Sequence, residues 1–398
     1  MSKINIFHLF IEPPMKKLLL PALCACLISI ENIYCQQITF SFDGLERQYL
    51  YYEPADLPDN APLIMVMHGY GDNNSAIRNY SGMNEVADSF GFAVCYPRGT
   101  IDNNGYRFFN VGYDFNLGID TVNDLGFIEA LAVYLQQTYD LDPQRTYATG
   151  MSNGGDMCYK IACHGSGIFK AIAPVAGTVL QNIYNTNNNY TPIPILEIHG
   201  TEDNITYWEG DMNNVDGWGA YPSIPFVIDY FSTLNGTTSI TIDTLPNLNT
   251  TDGSFVIREK HFQNGSNCNQ VWLYTVKGGG HDWPGSGGNL DINSSIEMVE
   301  FFEETSCLST AGLNTTQPMI DVSIYPNPSN NLLLIETNYN SPFTEISLYT
   351  TLGQNVKNIS CTNTESIAIS VTDLPNGIYI IKLTCKELKV TEKILIER

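Results

Sequence analysis

Tyr147-Ala-Thr-Gly-Met-Ser-Asn-Gly-Gly155 constrains the fold of this chain more than any other stretch. Arg145 to Thr149 is a short run with β-branched and aromatic residues, and Met157 to Cys163 is helix-compatible, so the stretch reads as strand, sharp turn, helix. Gly150, Ser152 and Gly154 have the spacing G-x-S-x-G. A side chain at 150 or 154 would collide with the strand or the helix, so the two glycines allow the tight reversal that holds the Ser152 hydroxyl out of the sheet. The next backbone N–H, from Asn153, then faces the place where a negative oxygen would develop. In a chain with 32 glycines the spacing alone is weak. It gains weight only if a base and an acid follow in the right places.

Six histidines are available. His8 lies in a targeting-like segment, His68, His164 and His199 precede the acid or follow strands, and His261 sits in a polar strand-like run. His281 remains, in Lys277-Gly-Gly-Gly-His-Asp-Trp-Pro-Gly285, on a glycine-rich turn after the apolar run Val271 to Val276. The acid candidate is Asp203, in His199-Gly-Thr-Glu-Asp-Asn204 just after the run Ile193 to Ile198; Glu202 and Asp211 are the alternatives. The chain order Ser152, Asp203, His281 is the one expected when three loops meet at the carboxyl ends of strands in an α/β-hydrolase sheet. Nucleophile, acid and base of this kind need no metal or cofactor.

The surrounding chain supports such a sheet. Residues 37–53 alternate and read as an edge hairpin. Leu63-Ile-Met-Val-Met67 is continuously apolar, as a strand buried on both faces should be. It runs into His68-Gly-Tyr-Gly-Asp72, a loop whose backbone N–H of Gly69 or Tyr70 can serve as the second oxyanion donor beside Asn153; His68 itself reads as a locally hydrogen-bonded strand-end residue. Met83 to Phe90 reads as a helix, Phe92 to Tyr96 as a strand, Val122 to Tyr139 as a helix, Ala171 to Val175 and Ile193 to Ile198 as strands, Pro225 to Leu234 and Ser294 to Glu304 as helices. Residues 100–118 and the Trp- and Tyr-rich 205–221 read as loops near the active face, the second a candidate substrate wall. Residues 236–269 are polar and read as edge strands and loops.

The chain has 398 residues and a formal net charge of −23 with only 19 Lys plus Arg, so no basic patch exists to neutralise phosphates and nucleic-acid binding is excluded. Residues 1–35 read as a signal peptide, with Met15-Lys-Lys a charged start and Leu18 to Ile30 an apolar core, and the true start is possibly Met15. No other stretch is apolar and long enough to span a bilayer. Export permits disulfides. Seven cysteines follow residue 35, at 95, 158, 163, 268, 307, 361 and 385, an odd number; Cys163–Cys268 and Cys361–Cys385 are the candidate pairs.

His68-Gly-Tyr-Gly, Gly-Met-Ser-Asn-Gly-Gly, Ala173-Pro-Val-Ala-Gly177, His199-Gly-Thr-x-Asp and Gly-Gly-Gly-His-x-Trp-Pro-Gly together resemble the secreted esterase family that includes polyhydroxybutyrate depolymerases, feruloyl esterases and acetyl xylan esterases. The resemblance implies an α/β-hydrolase domain over 36–305, a mostly parallel sheet with helices on both faces. It also implies Ser152 as nucleophile, Asp203 as acid, His281 as base and Trp283 as a shaper of the substrate pocket. The activity so implied is a serine carboxylesterase acting on feruloyl or acetyl groups of plant polysaccharide. A poly(3-hydroxybutyrate)-type depolymerase is the alternative, and a non-catalytic surface binding protein the reading from another class. Residues 205–269 depart from the family pattern and leave substrate choice open.

After a Thr-, Ser- and Asn-rich linker, 306–321, the chain changes character. Short alternating strands over 322–398 predict a small β-sandwich. Tyr325-Pro-Asn-Pro328, Leu348-Tyr-x-x-Leu-Gly-Gln354, Leu374-Pro-Asn-Gly-Ile-Tyr379 and the closing Lys393-Ile-Leu-Ile396 resemble the C-terminal sorting domain of Bacteroidetes type IX secretion. That resemblance implies the type IX machinery as a partner and a secreted or cell-surface location.

Overall fold

Leu63–Met67 is buried along its whole length, and its side chains divide by strand period between two separate cores. Leu63, Met65 and Met67 join one apolar cluster; Ile64 and Val66 join the other. A computed structural model provides this view; it describes residues 37–117, 121–188, 190–263, 266–305, 322–337, 343–350, 355–364, 366–385 and 388–398. The signal reading of 1–35 and the linker of 306–321 lie outside the described residues.

In chain order the first part comprises β1 (Ile38–Phe42), β2 (Leu45–Tyr52), β3 (Leu63–Met67), α1 (Asn74–Ser81), α2 (Met83–Phe90), β4 (Ala93–Arg98), β5 (Thr100–Ile101), β6 (Arg107–Phe108), α3 (Asp124–Thr138), β7 (Thr146–Met151), α4 (Asn153–His164), β8 (Ala171–Val175), α5 (Gln181–Asn185), β9 (Ile195–Gly200), α6 (Ile224–Leu234), β10 (Ser239–Thr244), β11 (Phe255–Gln263), β12 (Ser266–Lys277) and α7 (Ser294–Glu304). One ten-stranded sheet runs in the order β1-β2-β4-β3-β7-β8-β9-β12-β11-β10. From β4 to β12 neighbouring strands are parallel; antiparallel strands extend both edges. Phe127, Leu131, Met157, Ile161, Val227 and Phe231 bring α3, α4 and α6 onto one face. Met83, Val86, Ile296 and Phe301 bring α2 and α7 onto the other. This is the α/β-hydrolase architecture expected from the sequence.

Helix α1 was not expected. Its residues, Asn-Ser-Ala-Ile-Arg-Asn-Tyr-Ser, lack an apolar stripe; it is set by its ends. The Asn73 side chain accepts from the amides of Ser75 and Ala76, and Gly82 closes the helix in the left-handed region at φ 60°. The polar stretch 236–269 does supply edge strands, and β12 begins inside it. Neither candidate disulfide forms: Cys163 is a buried free thiol and Cys361 a half-buried one, while Cys268 is disulfide-bonded. Among the described residues no helix is long and apolar enough to cross a membrane.

The C-terminal part adds β13 (Val322–Tyr325), β14 (Leu332–Thr337), β15 (Phe343–Thr350), β16 (Asn355–Thr364), β17 (Ser366–Ser370), β18 (Gly377–Cys385) and β19 (Leu388–Ile396). They form two antiparallel sheets, β13-β14-β17 and β16-β15-β18-β19, over their own core of Leu333, Ile346, Leu348, Ile381 and Ile394, among others. Phe343 and Tyr379 are buried there, so neither offers an exposed stacking platform. Lys393 Nζ on β19 lies 2.6 Å from Glu297 Oε1 and 3.3 Å from Glu300 Oε2 on α7. Glu297 is almost wholly buried, and its other oxygen accepts from the Tyr274 hydroxyl at 2.9 Å. Removing the cation paired with a buried carboxylate is costly. Lys393→Met is therefore expected to destabilise the protein by about 1–3 kcal/mol, read as a lower denaturant midpoint at pH 8, with an unchanged midpoint as the contrary result.

Candidate active site

The turn between β7 and α4 is as tight as its glycines allow. A Cβ on Gly150 would stand 2.7 Å from the Gly154 carbonyl carbon and 2.8 Å from the Met67 carbonyl oxygen, and one on Gly154 would overlap that same oxygen. Between them Ser152 adopts φ 55°, ψ −119°, a strained conformation for a residue with a side chain. The Ser152 amide is held by Val175 O at 2.9 Å, and its carbonyl receives the Asp156 amide at 2.8 Å.

Strand β9 ends beside β12, and the turns that follow are laced together. Thr201 N donates to Val276 O and Glu202 N to Gly279 O. Gly200 packs against the Gly279 and Gly280 carbonyls so closely that a Cβ there would overlap them. This lacing brings Asp203 Oδ2 to 2.7 Å from His281 Nδ1. The Asp203 Oδ1 atom accepts from the amides of Ile205 and Thr206 at 2.8 and 2.9 Å, which orients the carboxylate. Of the alternative acids, Glu202 is exposed, and Asp211 bridges to Tyr221 and accepts from the Asp216 amide.

Gly69 lies directly across from Ser152: its Cβ, if present, would stand 3.5 Å from that of Ser152. Among the described residues, the amides of Gly69, Tyr70 and Asn153 donate to no protein acceptor. The Asn153 side chain is fully committed elsewhere. Its Oδ1 accepts from Phe109 N, and its Nδ2 donates to Phe109 O and to the Tyr113 hydroxyl, tying the start of α4 to the loop after β6. His68 is structural. Burial lowers its pKa to about 4, so the neutral ring accepts the Gly99 amide at Nε2 and donates from Nδ1 to Gly69 O, fixing the loop that carries the two glycine-side amides.

Residues 100–118 and 205–221 form one aromatic wall. The Trp218 ring meets Tyr70, Tyr113 and Phe115 edge-on at 5.0, 5.1 and 5.4 Å, and Asp114 N donates to Trp218 O. Tyr70 also packs on the exposed ring of Tyr106. Beside Ser152 a cavity of about 30 Å³ is lined by Tyr113, Asp156, Thr178, Leu180, Trp218 and Tyr221, together with Ile205 and Thr206. Trp283 is not part of it, contrary to the expectation from resemblance. It is fully buried in the apolar cluster shared with α2 and α7, its Nε1 donating to Ser295 Oγ at 3.1 Å and its amide to the Tyr80 hydroxyl. Pro284 O, next in the chain, accepts from Ser294 N at the start of α7, so the segment after His281 is tied to that helix.

Asp156 was not singled out from the sequence, although it lies one helical turn after Ser152 and so shares its face of α4. It is buried, accepting from the Tyr113 hydroxyl at 2.7 Å and the Thr178 amide at 2.8 Å. Burial pushes its carboxyl up to about 6, against the opposing pull of those hydrogen bonds.

A parallel sheet of this order, with a strained serine between β7 and α4, places the chain among the α/β-hydrolases. Within that class, residues 47–243 match the family described as esterase PHB depolymerase, and residues 323–397 match the secretion system C-terminal sorting domain. Residues 47–243 thus match the esterase family of polyhydroxybutyrate depolymerases, to whose feruloyl esterase and acetyl xylan esterase relatives the chain is also similar, and the sorting domain marks the chain as secreted or displayed at the cell surface. It is 26% identical over 174 residues to the bifunctional acetylxylan esterase/xylanase XynS20E of Neocallimastix patriciarum, covering 43% of this chain and about a quarter (24%) of that protein. It is 26% identical over 325 residues to poly(3-hydroxyalkanoate) depolymerase C of Paucimonas lemoignei, covering 72% of this chain and 74% of the relative. Among solved structures, acetyl xylan esterase from Aspergillus awamori superposes with a TM-score of 0.49 at 17% identity, over 68% of this chain and 99% of that one.

The raised Asp156 pKa sets a pH dependence. The folded state holds this proton more tightly than the unfolded chain, so the group's contribution to stability is complete below its ordinary value and is lost as pH rises through about 6. Asp156→Asn keeps the shape without the charge. It is expected to gain on the order of 3 kcal/mol relative to the natural protein between pH 4 and pH 8, measured by denaturant unfolding; parallel curves for the two proteins would contradict it.

Proposed function

We propose that Ser152 attacks the carbonyl carbon of an ester, with His281 as its base and Asp203 as the acid that holds the ring. The 2.7 Å hydrogen bond from His281 Nδ1 to Asp203 Oδ2 carries this reading, because it leaves Nε2 as the nitrogen turned away from the carboxylate and free to take a proton. The serine proton passes to Nε2 as the C–O bond forms. The tetrahedral oxyanion accepts from the amides of Asn153 and of Tyr70 or Gly69, and collapse expels the alcohol, which takes the proton from His281. Water then repeats the sequence on the acyl-enzyme and regenerates the Ser152 hydroxyl. Asp203 stabilises the imidazolium in both halves.

For the substrate, we propose an acyl group on plant polysaccharide, acetyl before feruloyl. The cavity of about 30 Å³ beside Ser152 suits a methyl-sized group. A feruloyl ring would have to lie outside it, along Tyr70, Tyr106 and Trp218. A polyester substrate is the second reading, supported by the long alignment with the poly(3-hydroxyalkanoate) depolymerase and by the exposed Ile205, Met212 and Val215 on the 205–221 loop.

The full chain and its Ser152→Ala form, incubated with acetylated, feruloylated arabinoxylan, separate these readings when the free acids are identified by chromatography. Acetate in excess over ferulate, released only by the serine form, is expected, with kcat on a short aryl ester falling at least about a thousand-fold in the alanine form. Near-normal turnover by the alanine form would overturn the mechanism. Cleavage of the aryl ester without release of either acid would overturn the polysaccharide reading and leave the polyester.

A further inference from the structure

A second histidine stands behind Asp203. His199, on β9, is buried with acceptors at both ring nitrogens: Nδ1 is 2.8 Å from Glu197 Oε1, and Nε2 is 2.8 Å from Thr206 O and 3.5 Å from Asp203 Oδ2. A neutral imidazole has one donor nitrogen and one acceptor nitrogen. Here neither nitrogen meets a donor, except where Glu197 itself carries the proton. The Glu197–His199 pair therefore holds one extra proton, shared between them, and Nε2 always carries its own, aimed at Thr206 O and Asp203. The second oxygen of Glu197 accepts from the buried Tyr159 hydroxyl at 2.9 Å, which fixes the carboxylate.

Other groups around the pair are Asp156, Cys158 and Tyr159 from α4, Asp203 on the turn after β9, and the Trp208 ring, edge-on at 6.1 Å. Beyond the pair, Lys277 Nζ lies over the same Trp208 ring, 5.6 Å from its centroid. Burial lowers the His199 pKa, but the hydrogen bond and charge of Glu197, with the charge of Asp203, outweigh it and hold the ring above its ordinary value. Burial likewise pushes Glu197 up to about 7.

We infer that His199 is a positioning residue for the esterase reaction, pinning the Asp203–Thr206 turn through the Thr206 carbonyl and setting a buried positive charge against the carboxylate that His281 also uses. Asp203 thus lies between two histidines. One is exposed to substrate and exchanges a proton each half-cycle, and the other is sealed in the core. Both rings address the same Asp203 oxygen, so removing the proton behind it leaves more of the carboxylate's charge to act on His281.

This inference rests on the triad proposed above, so the experiment includes a control on it. Three variants of the full chain are compared with the natural protein in kcat against pH on a short aryl ester, with melting temperature as a check on folding. Glu197→Gln can donate to Nδ1 of a neutral His199, which still donates Nε2–H to Thr206 O, so it removes the extra proton and keeps the clamp. His199→Ala removes both. Asp203→Asn tests the triad. For Glu197→Gln the plateau is expected within about threefold of the natural protein, with the acid limb moved up by about half a pH unit or more. His199→Ala is expected to lose ten-fold or more in kcat with KM little changed. An unmoved acid limb in folded Glu197→Gln, with Asp203→Asn inactive, overturns the role of His199 alone. Natural activity in Asp203→Asn overturns the triad reading instead. A His199→Ala protein that fails to fold leaves the decision with the Glu197→Gln acid limb.

Discussion

The close approach of the first turn of α4 to the end of β3 is the contact on which the rest of the structure depends. Gly154 lies against the Met67 carbonyl with no room for a methyl group, and Gly150 is as confined from the other side. Because backbone meets backbone there, the chain between them must reverse through the strained Ser152 geometry. The same approach sets Gly69 opposite Ser152. In the proposed mechanism the oxyanion donors, the amides of Asn153 and of Tyr70 or Gly69, belong to this packed main chain, and donors fixed in that way need no rearrangement when charge develops.

Around that contact the protein buries an unusual concentration of acid. Asp156, Glu197 and Asp203 are all withdrawn from water. Each meets a different partner: the Tyr113 hydroxyl and Thr178 amide, His199 and the Tyr159 hydroxyl, and His281 with two turn amides. Burial alone would drive the carboxyls neutral, as it pushes Asp156 up to about 6 and Glu197 to about 7. Hydrogen bonds offset that cost: the Tyr113 hydroxyl and Thr178 amide at Asp156, and the His199 ring and Tyr159 hydroxyl at Glu197. Aromatic rings complete the enclosure. Trp218 joins the loop after β6 to the loop after β9, so the wall and the elbow are parts of one packed unit.

Much of this was legible from residue order, for identifiable reasons. Leu63–Met67, Ala171–Val175 and Ser294–Glu304 have the expected bounds, since continuous apolar runs and a clear helical stripe leave little choice. Ser152, Asp203 and His281 are found at the carboxyl ends of β7, β9 and β12 because the glycines flanking each of them restrict how the chain can leave its strand. Helix α1 has no periodic signature, since end-capping makes it. Trp283 lies in the core and not at the pocket, because a motif two residues from His281 does not say on which side of the turn its side chain falls. Asp156 and Glu197 look like any surface acids when read alone, although a carboxylate inside the apolar run Ile195–Ile198 is a signal that burial and a partner must go together. The cysteine pairs could not be had from spacing; the free thiols at 163 and 361 exclude both candidates.

The most direct test of the account is to locate the covalent bond it requires. The full chain is treated with an aryl phosphonate, which phosphonylates an activated serine, and the adduct is mapped by peptide mass spectrometry in the natural protein and in His281→Gln. The account predicts one stoichiometric adduct, on Ser152, formed orders of magnitude more slowly without His281. An adduct on another residue, or equal rates in the two proteins, would contradict it.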